Sequence, residues 1–266
     1  MTKQEIRDDR FATRRPHFID CEPGLFPAGN FVADVKEDGQ WVRVDVEGRT
    51  ATVWNRHGIQ LEVIALDVDM GGHSVLYGEF LRGTTRSKAD PRQGNFVVFD
   101  CVGWGWTDIS GSRLDTRRVV AMGIVHKMDC ARFEFVRWSD NPADLWEYVK
   151  AHDLEGIVIK DPSAPFGDPW YRMKRVHDLD YICTGYVRNG AGEATALRGG
   201  VYQGAHIVDV CRVPIHGQAR RKVSADPEAF VGRVFKARGN DITAKGALRA
   251  PRFVEWHADK EAKECR

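Results

Sequence analysis

The sequence predicts an α+β domain with mainly antiparallel sheets, followed by a compact all-β barrel. Up to about residue 175, strand-like segments outnumber helices, and the connections between them are short enough for hairpins. Beyond that point the sequence changes to short strands broken by glycine, with one short helical stretch. We therefore expect one domain over residues 1–175 and a second over residues 176–266, with the boundary near 175–180.

The first predicted strands flank a turn at residues 37–40. Apolar and polar residues alternate over residues 41–46, as in a strand with one buried face. The Asp-Gly dipeptide in the turn favours a tight hairpin with a positive φ at Gly39. Lys36 is then held at a fixed place at the end of the first strand.

The other elements of the first domain follow in chain order. Further strands are predicted at residues 50–55, 74–81, 95–104, 132–138 and 156–160, and two helices at residues 113–122 and 141–152. The second helix has Asn141 as a natural cap and Pro142 at its first position. In the strand at 156–160, alternation directs Val158 and Lys160 to the face opposite the two isoleucines.

The second domain is predicted as a five-stranded barrel of the OB type. Glycine-broken strands occupy residues 181–213, and a helical turn or two is expected at 226–234. Strand-like segments at 233–238 and 251–257 close the chain. Short strands with one small helix are typical of this barrel.

The composition is that of a soluble globular protein, with 42% apolar and 29% charged residues. Residues 1–175 carry 24 Lys and Arg against 27 Asp and Glu, whereas residues 176–266 carry 15 against 11. This charge asymmetry suggests that the C-terminal part faces a polyanion.

The cysteines and the N-terminus indicate the cellular setting. The six cysteines show no C-x-x-C spacing, which argues against a zinc cluster and a disulfide scaffold and favours buried or inert thiols. The N-terminal segment is charged throughout, unlike a secretory signal, and no apolar run approaches the length of a membrane span. We expect a reducing, cytoplasmic location and no membrane partner.

Lys36 is a candidate nucleophile if its surroundings make its amine available. A lysine with the reference pKa of about 10.4 costs about 4.6 kcal/mol to deprotonate at pH 7, so neighbouring cations or desolvation must lower that cost. Lys160 and the cations of residues 170–175 could supply charge and contact phosphate. The alternative interpretation is that all of them are solvated lysines at strand ends.

An ordered series of short motifs resembles the nucleotidyltransferase motifs of ATP-dependent DNA ligases. The segments are KEDG at 36–39, NRHG at 55–58, YGEF at 77–80, VVFD at 97–100, EGIVIK at 155–160 and WYRMK at 170–174. The ending LRAPRFVEWHADK at 248–260 resembles the last motif of that family, in its OB domain. Because only some thirty residues precede the strand bearing Lys36, the resemblance is to a minimal, two-domain ligase of bacterial or phage type.

The resemblance implies a chemistry and a set of roles. Lys36 would attack the α-phosphate of ATP and hold AMP, and Asp38 of the same motif, Glu155, Lys160, Lys174 and Lys260 would be the other catalytic residues. The AMP would pass to the 5′-phosphate of a nick in double-stranded DNA, and a 3′-hydroxyl would then displace it. The enzyme would act as a monomer in DNA repair or replication. By this resemblance Lys160 and Lys174 would contact phosphate, and Arg172 would be a further residue of the nucleotide site. Glu79 and Glu155 would hold a Mg²⁺ (or Mn²⁺) ion or the ribose, and Phe99 would stack on adenine. Arg56 would contact the nick phosphates, and Lys260, with Arg252 and Asp259, would contact pyrophosphate. Phe99 has core packing as an alternative role.

Several positions depart from the family pattern. Trp41 stands where many DNA ligases have an arginine, and Arg43 is the alternative nucleic-acid contact on the same strand face. Arg172 replaces a common lysine and His257 a usual arginine. RNA ligases share the same core and vary at these points, so an RNA ligase remains open. A GTP-using capping enzyme and an inactive nucleic-acid-binding scaffold remain open as well.

Two basic segments are predicted to be loops that contact the duplex backbone. One covers residues 82–94, and the other covers residues 216–227 and contains Arg220, Arg221 and Lys222. The alternative for both is a solvated loop.

Overall fold

The computed structural model describes residues 16–82, 91–240, 242–243 and 246–265. The chain divides into two compact units, Met1–Lys174 and Arg175–Arg266. The elements of the first unit are β1 Phe18–Cys21, β2 Val32–Lys36, β3 Gln40–Glu47, β4 Thr50–Asn55, β5 Gln60–Ala65, β6 Ser74–Phe80, β7 Phe96–Trp104, β8 Thr107–Asp108, α1 Leu114–Met128, β9 Phe133–Phe135, β10 Trp138–Ser139, α2 Pro142–Ala151, β11 Gly156–Lys160 and β12 Trp170–Lys174.

Two sheets form the first unit. One has the strand order β1-β12-β11-β2-β10, and the other has the order β5-β4-β3-β6-β7-β8 with β9 beside β7. The pairs β1–β12 and β7–β9 are parallel, whereas the other strand pairs described in these sheets are antiparallel. The predicted α+β class with mainly antiparallel sheets is therefore confirmed.

The turn after Lys36 does not form the predicted hairpin. β2 pairs with β10 and β11 in the first sheet, whereas β3 pairs with β4 and β6 in the second. Gly39 does not have the predicted positive φ. Glycine is needed there because a Cβ would lie 2.4 Å from the carbonyl oxygen of Phe80. The turn thus connects the two sheets and lies in close contact with the backbone of β6.

The first sheet packs on α2 with one face and toward the second sheet with the other. Ile157 and Ile159 lie in the core that contains the α2 residues Leu145 and Val149. Val158 lies instead in the core that also contains Tyr77 of β6. The predicted alternation along β11 is thus confirmed, and it directs the Lys160 side chain between the sheets.

The helices match the predictions to different degrees. α2 begins as predicted, since Asn141 Oδ1 accepts a hydrogen bond from the Ala143 amide at 3.1 Å, and Pro142 is the first helical residue. α1 runs to Met128, beyond the predicted end at residue 122, because Ile124 and Met128 pack into the core under the second sheet. The single strand predicted at 132–138 is instead two short strands, β9 and β10.

The second unit is a five-stranded antiparallel sheet with the order β15-β14-β13-β16-β17. Its elements are β13 His177–Arg188, β14 Ala194–Gln203, β15 His206–Pro214, α3 Gly217–Ala225, β16 Val234–Gly239 and β17 Arg252–Trp256, with 3₁₀ turns at Glu228–Phe230 and Ala262–Glu264. The edge strands β15 and β17 also contact each other, as in a barrel. The five strands agree with the predicted OB type.

The basic segment at residues 216–227 is not a loop. Most of it forms α3, from which Val223 packs into the barrel core. Gln, Ala, Arg and Lys are good helix formers, so one buried contact is enough to order this segment as a helix. Most of the other basic segment, residues 83–90, lies outside the described residues.

Two predictions based on absent features can be compared with the structure. Within the described ranges, no helix is long and apolar enough to cross a membrane. All six cysteines are free, and Cys101, Cys183 and Cys265 are buried, in agreement with the prediction of buried thiols rather than a disulfide scaffold.

Candidate active site

An open cavity with an empty volume of about 430 Å³ lies within the first unit, between its two sheets. Strands from both sheets contribute to its wall. The lining residues are Phe18, Asp34, Val35, Lys36, Glu37, Trp41, Glu79, Phe99, Val158, Lys160 and Trp170. The motif segments that the sequence singled out at Lys36, Glu79, Phe99 and Lys160 therefore meet at one place.

Lys36 lies at this cavity in an ion pair with Glu155. Its Nζ is 2.7 Å from Glu155 Oε2, and the other oxygen of that carboxylate is 3.0 Å from Lys174 Nζ. The strand register explains the geometry, because Gly156 lies opposite both Lys36 and Lys174. A side chain at Gly156 would meet the Met173 carbonyl oxygen at 2.2 Å, so glycine keeps the three strands close. One carboxylate thus holds two lysines.

Lys160 forms a buried ionic cluster beneath the cavity. Its Nζ is 2.5 Å from Asp34 Oδ2, and Arg118 Nη2 is 2.7 Å from Asp34 Oδ1. The ammonium also lies 3.8 Å from the ring centre of Trp170. Burial lowers the pKa of Lys160 below its usual value, although the Asp34 carboxylate raises it. The side chain is only 1% exposed, so its predicted phosphate contact would require access through the cavity.

Aromatic rings form much of the cavity wall. The ring centres of Trp41 and Phe99 are 4.9 Å apart, and those of Phe99 and Trp170 are 5.8 Å apart. Phe99 therefore packs against neighbouring rings and also lines the cavity, and its stacking on adenine stays a prediction. An aromatic slot of this kind suits a planar base, because stacking on aromatic faces is favourable for any π system.

Glu79 connects the cavity to the turn after Lys36. Its Oε1 accepts a hydrogen bond from the Gly39 amide at 3.1 Å. Burial raises the pKa of Glu79 to about 7, and the nearby Glu155 carboxylate contributes to the rise, while Lys36 opposes it. This carboxyl therefore gains or loses its proton near neutral pH.

The residues present suit a magnesium ion shared with a bound phosphate. No cluster of three or more potential metal ligands occurs among the described residues. Mg²⁺ is usually held by one or two carboxylates together with waters and substrate phosphates, and Glu79 and Glu155 offer that number. The donor set therefore fits an ion that arrives with its substrate.

A wider open region adjoins the cavity and carries further cations. Arg56 and Arg172 line it together with Lys36 and Glu79. Arg172 Nε donates to Asp20 Oδ1 at 2.7 Å, and Arg56 Nε lies 2.8 Å from His57 Nε2. Arg56, predicted to contact nick phosphates, and Arg172, predicted to contact the nucleotide, therefore both line this region.

Arg43 does not reach this region, contrary to the prediction of a nucleic-acid contact. It is 7% exposed, and its Nε donates to Asp45 Oδ1 at 2.8 Å. His73 Nε2 lies 3.4 Å from the same oxygen. The alternating strand directs Arg43 inward with Trp41, where burial requires a charged partner. Asp38 lies in the partly exposed turn between β2 and β3.

The remaining predicted residues lie in the second unit. Asp180 accepts hydrogen bonds from Lys260 Nζ at 2.5 Å and pairs with His257 Nε2 at 2.9 Å. The hydrogen bond that Lys260 donates to Asp180 raises the pKa of Lys260. On α3, Arg220 pairs with Glu193, whereas Arg221 and Lys222 are exposed to solvent. Arg252 and Asp259 are also exposed.

Sequence reasoning missed four contributors to the site. Asp34 and Arg118 complete the ionic cluster, and Phe18 and Trp170 complete the aromatic wall. Asp34 left a usable signal, because a carboxylate inside an otherwise apolar strand requires a buried partner. The ring contacts depend on pairing between distant strands, which no local pattern shows.

Comparison with known proteins shows a likeness in fold. No protein-family model matches the chain, and no curated protein matches its sequence. One similar structure is described as a structure–function analysis of Lig E DNA ligases and of DNA binding with a minimal scaffold. It has a TM-score of 0.64 and 14% sequence identity, and the match covers 92% of this chain and 100% of the Lig E chain. Structures described as Pmar-Lig_PreS3 and Pmar-Lig_Pre have TM-scores of 0.63 and 15% identity, over 85% and 86% of this chain.

The present chain spans 63% and 64% of those two longer chains. At these identities the likeness is one of fold. The chain therefore has the fold that its motifs predict, a mainly antiparallel α+β domain followed by an OB barrel, and it shares this fold with the Lig E DNA ligase structure.

Proposed function

We propose that this chain is an ATP-dependent polynucleotide ligase that seals nicks in duplex DNA through a lysine–AMP intermediate. One observation carries the proposal. The Nζ of Lys36 lies at an aromatic-walled cavity and pairs at 2.7 Å with Glu155, whose other oxygen binds Lys174. A nucleophile, a proton acceptor and a phosphate-binding cation are thus adjacent to a slot that suits a base.

In the first step, adenine enters the slot beside Phe99 and the α-phosphate lies near Lys36. Lys36 Nζ gives one proton to Glu155, and the resulting amine forms a bond to the α-phosphorus while the bond to pyrophosphate breaks and pyrophosphate leaves with its electrons. The second proton of that nitrogen passes to solvent, which leaves a phosphoramide whose nitrogen is neutral. The Lys174 ammonium compensates the negative charge of the α-phosphate. The rigid strands that hold these groups favour the reaction, because phosphoryl transfer depends chiefly on position and charge.

Glu79 would hold a Mg²⁺ or Mn²⁺ ion that arrives with ATP, and Glu155 would join it once the proton taken from Lys36 has passed to solvent. When bound, such an ion supplies neutralisation of phosphate charge. With a pKa of about 7, the Glu79 carboxyl is only about half ionised at neutral pH unless a cation is present. ATP and metal binding at this site should therefore release a proton near neutral pH.

In the later steps AMP passes from Lys36 to a 5′-phosphate, and a 3′-hydroxyl displaces it. Arg56 and Arg172 at the mouth of the site would hold the phosphates, since the guanidinium fork suits an oxyanion. The exposed cations Arg221 and Lys222 on α3 would contact the duplex backbone. The choice of DNA is supported by the fold likeness to a ligase described as binding DNA with a minimal scaffold.

The proposal is tested by the adduct and by the strand that is sealed. The protein is incubated with magnesium and with ATP or GTP, its intact mass is measured, and it is then given nicked duplexes whose strands are DNA or RNA. We expect an AMP adduct and sealing of the DNA nick. A GMP adduct would indicate capping chemistry, preferential sealing of RNA would indicate an RNA ligase, and the absence of any adduct would indicate a binding scaffold.

A further inference from the structure

The residue that follows Lys36 carries a largely buried carboxylate. Glu37 lines the cavity, and its side chain is only 9% exposed. Its backbone oxygen lies 3.4 Å from Lys36 Nζ. A poorly hydrated carboxylate next to the nucleophile would repel the phosphates of a nucleotide unless a cation neutralised it.

Arg92 supplies that cation in a two-pronged contact. Its Nη1 donates to Glu37 Oε1 at 3.1 Å, and its Nη2 donates to Glu37 Oε2 at 3.0 Å. Arg92 precedes β7 and also lies 3.5 Å from Glu134 of β9. The fork therefore anchors the turn after Lys36 to the β7–β9 edge of the second sheet.

The same turn is held on its other side by β6. The Gly39 amide donates to Glu79 Oε1 at 3.1 Å, and the backbone of β6 leaves no room for a Cβ at Gly39. Lys36 itself ends β2 in the first sheet. The direction of its side chain thus depends on a short turn that is fixed from both ends to the opposite sheet.

We propose that Arg92 is a positioning residue for Lys36, acting through Glu37. It neutralises the Glu37 carboxylate and fixes the turn, so that Lys36 Nζ points at the α-phosphate of a bound nucleotide. The inference rests on the proposed nucleotidyl transfer to Lys36. Arg92 does not line the cavity, so it acts on the rate of transfer and leaves nucleotide binding nearly unchanged.

The test compares Arg92→Ala, Glu37→Ala and the double variant with Arg113→Ala. Arg113 is a matched control, because it makes a similar forked contact to Asp115 in the same unit but is 58% exposed and distant in sequence from the turn. The rate of adduct formation is measured across ATP concentrations, together with the thermal midpoint of each protein.

We expect Arg92→Ala to lower the rate at saturating ATP by roughly 10- to 100-fold, since a displacement of about 1 Å can cost that much. The half-saturating ATP concentration should change by less than about threefold. The double variant should be no slower than Arg92→Ala, because both changes remove one interaction. Arg92→Lys keeps the charge without the fork and should recover part of the rate.

Three results would overturn the proposal: a rate within about twofold of the wild type in Arg92→Ala, multiplied losses in the double variant, or a loss confined to ATP affinity. Amide exchange provides a readout without catalysis. A peptide containing residues 36–40 should exchange faster in Arg92→Ala and not in Arg113→Ala. If no nucleotide adduct forms on the wild type, the proposed function fails, and equal exchange in the two variants would separately refute the role of Arg92.

Discussion

Replacing Asp34 by asparagine should destabilise the protein more than removing its lysine partner. Asp34 forms an ion pair with Lys160 and accepts a hydrogen bond from Arg118 Nη2. The side chains of Asp34 and Lys160 are both 3% exposed or less. Asp34→Asn keeps the size of the side chain and leaves two cations buried without their counter-charge. Breaking one buried pair costs roughly 3–5 kcal/mol, so we expect a loss of at least about 3 kcal/mol in the free energy of unfolding.

Lys160→Met provides the comparison. Asp34 then keeps its contact with Arg118 at 2.7 Å, and methionine fills the space beside Trp170. The remaining cost is one poorly satisfied carboxylate oxygen, which is worth roughly 1–3 kcal/mol. The order of stability should therefore be wild type, Lys160→Met and Asp34→Asn.

The difference between Asp34→Asn and the wild type should narrow as the pH rises. Burial lowers the pKa of Lys160, and loss of Asp34, which raises it, lowers that pKa further. Between the folded and unfolded pKa values the unfolded chain binds more protons, so the free energy of unfolding increases with pH. This window is wider in Asp34→Asn, which therefore recovers more stability as the pH rises toward the ordinary lysine pKa.

The assay is urea unfolding of the intact proteins, followed by tryptophan fluorescence, with calorimetry to separate transitions of the two units. Trp170 lies against Lys160 and should report the local loss. The reasoning is refuted if Asp34→Asn lies within about 1 kcal/mol of the wild type, or if Lys160→Met costs as much.

Three further predictions concern other parts of the molecule. Because the pKa of Glu79 is raised to about 7, the folded protein binds a proton that the unfolded chain releases between about pH 4.5 and about pH 7. The free energy of unfolding of the wild type should therefore fall by up to about 3 kcal/mol relative to that of Glu79→Gln over this range. Parallel pH profiles of unfolding for the two proteins would contradict this. Gly39→Ala puts a Cβ 2.4 Å from a β6 backbone oxygen and should lower the free energy of unfolding by more than about 2 kcal/mol. Gly123→Ala, with no atom within 4 Å of its Cβ, should raise that free energy by about 0.5–1 kcal/mol. Equal thermal midpoints for the two variants would show the reasoning wrong. Replacing Arg221 and Lys222 by alanine should weaken binding of nicked duplex and reduce the slope of log affinity against log salt concentration by up to about 0.9 per contact. Adduct formation should be unchanged. Unaltered binding across a salt series would identify both side chains as solvated.

The sequence predicted the site better than the path of the chain through it. Motif order identified Lys36, Glu79 and Glu155, because each belongs to a short string with its own composition. The hairpin after Lys36 was wrong because local alternation cannot tell which distant strands will pair. β2 pairs with β11 in the first sheet, and β3 pairs with β6 in the second sheet. The Asp-Gly turn therefore connects two sheets.

Partners across the sheets were beyond prediction for the same reason. The contact of Asp34 with Arg118 joins residues 84 positions apart, and the fork of Arg92 reaches 55 positions back to Glu37. The helix α3 was missed because its run of cations favoured a loop, whereas a single buried valine and good helix formers order it. Long-range packing decided these features.

The central claim is that Lys36 carries the nucleotide. The most direct measurement is to incubate the protein with ATP and magnesium, digest it, and locate the adenylate by peptide fragmentation. The account predicts one AMP on Lys36 and no adduct in Lys36→Arg, which keeps the charge but cannot act as the amine nucleophile. AMP found on Lys160 or Lys174, or on a wild-type protein and Lys36→Arg alike, would contradict it.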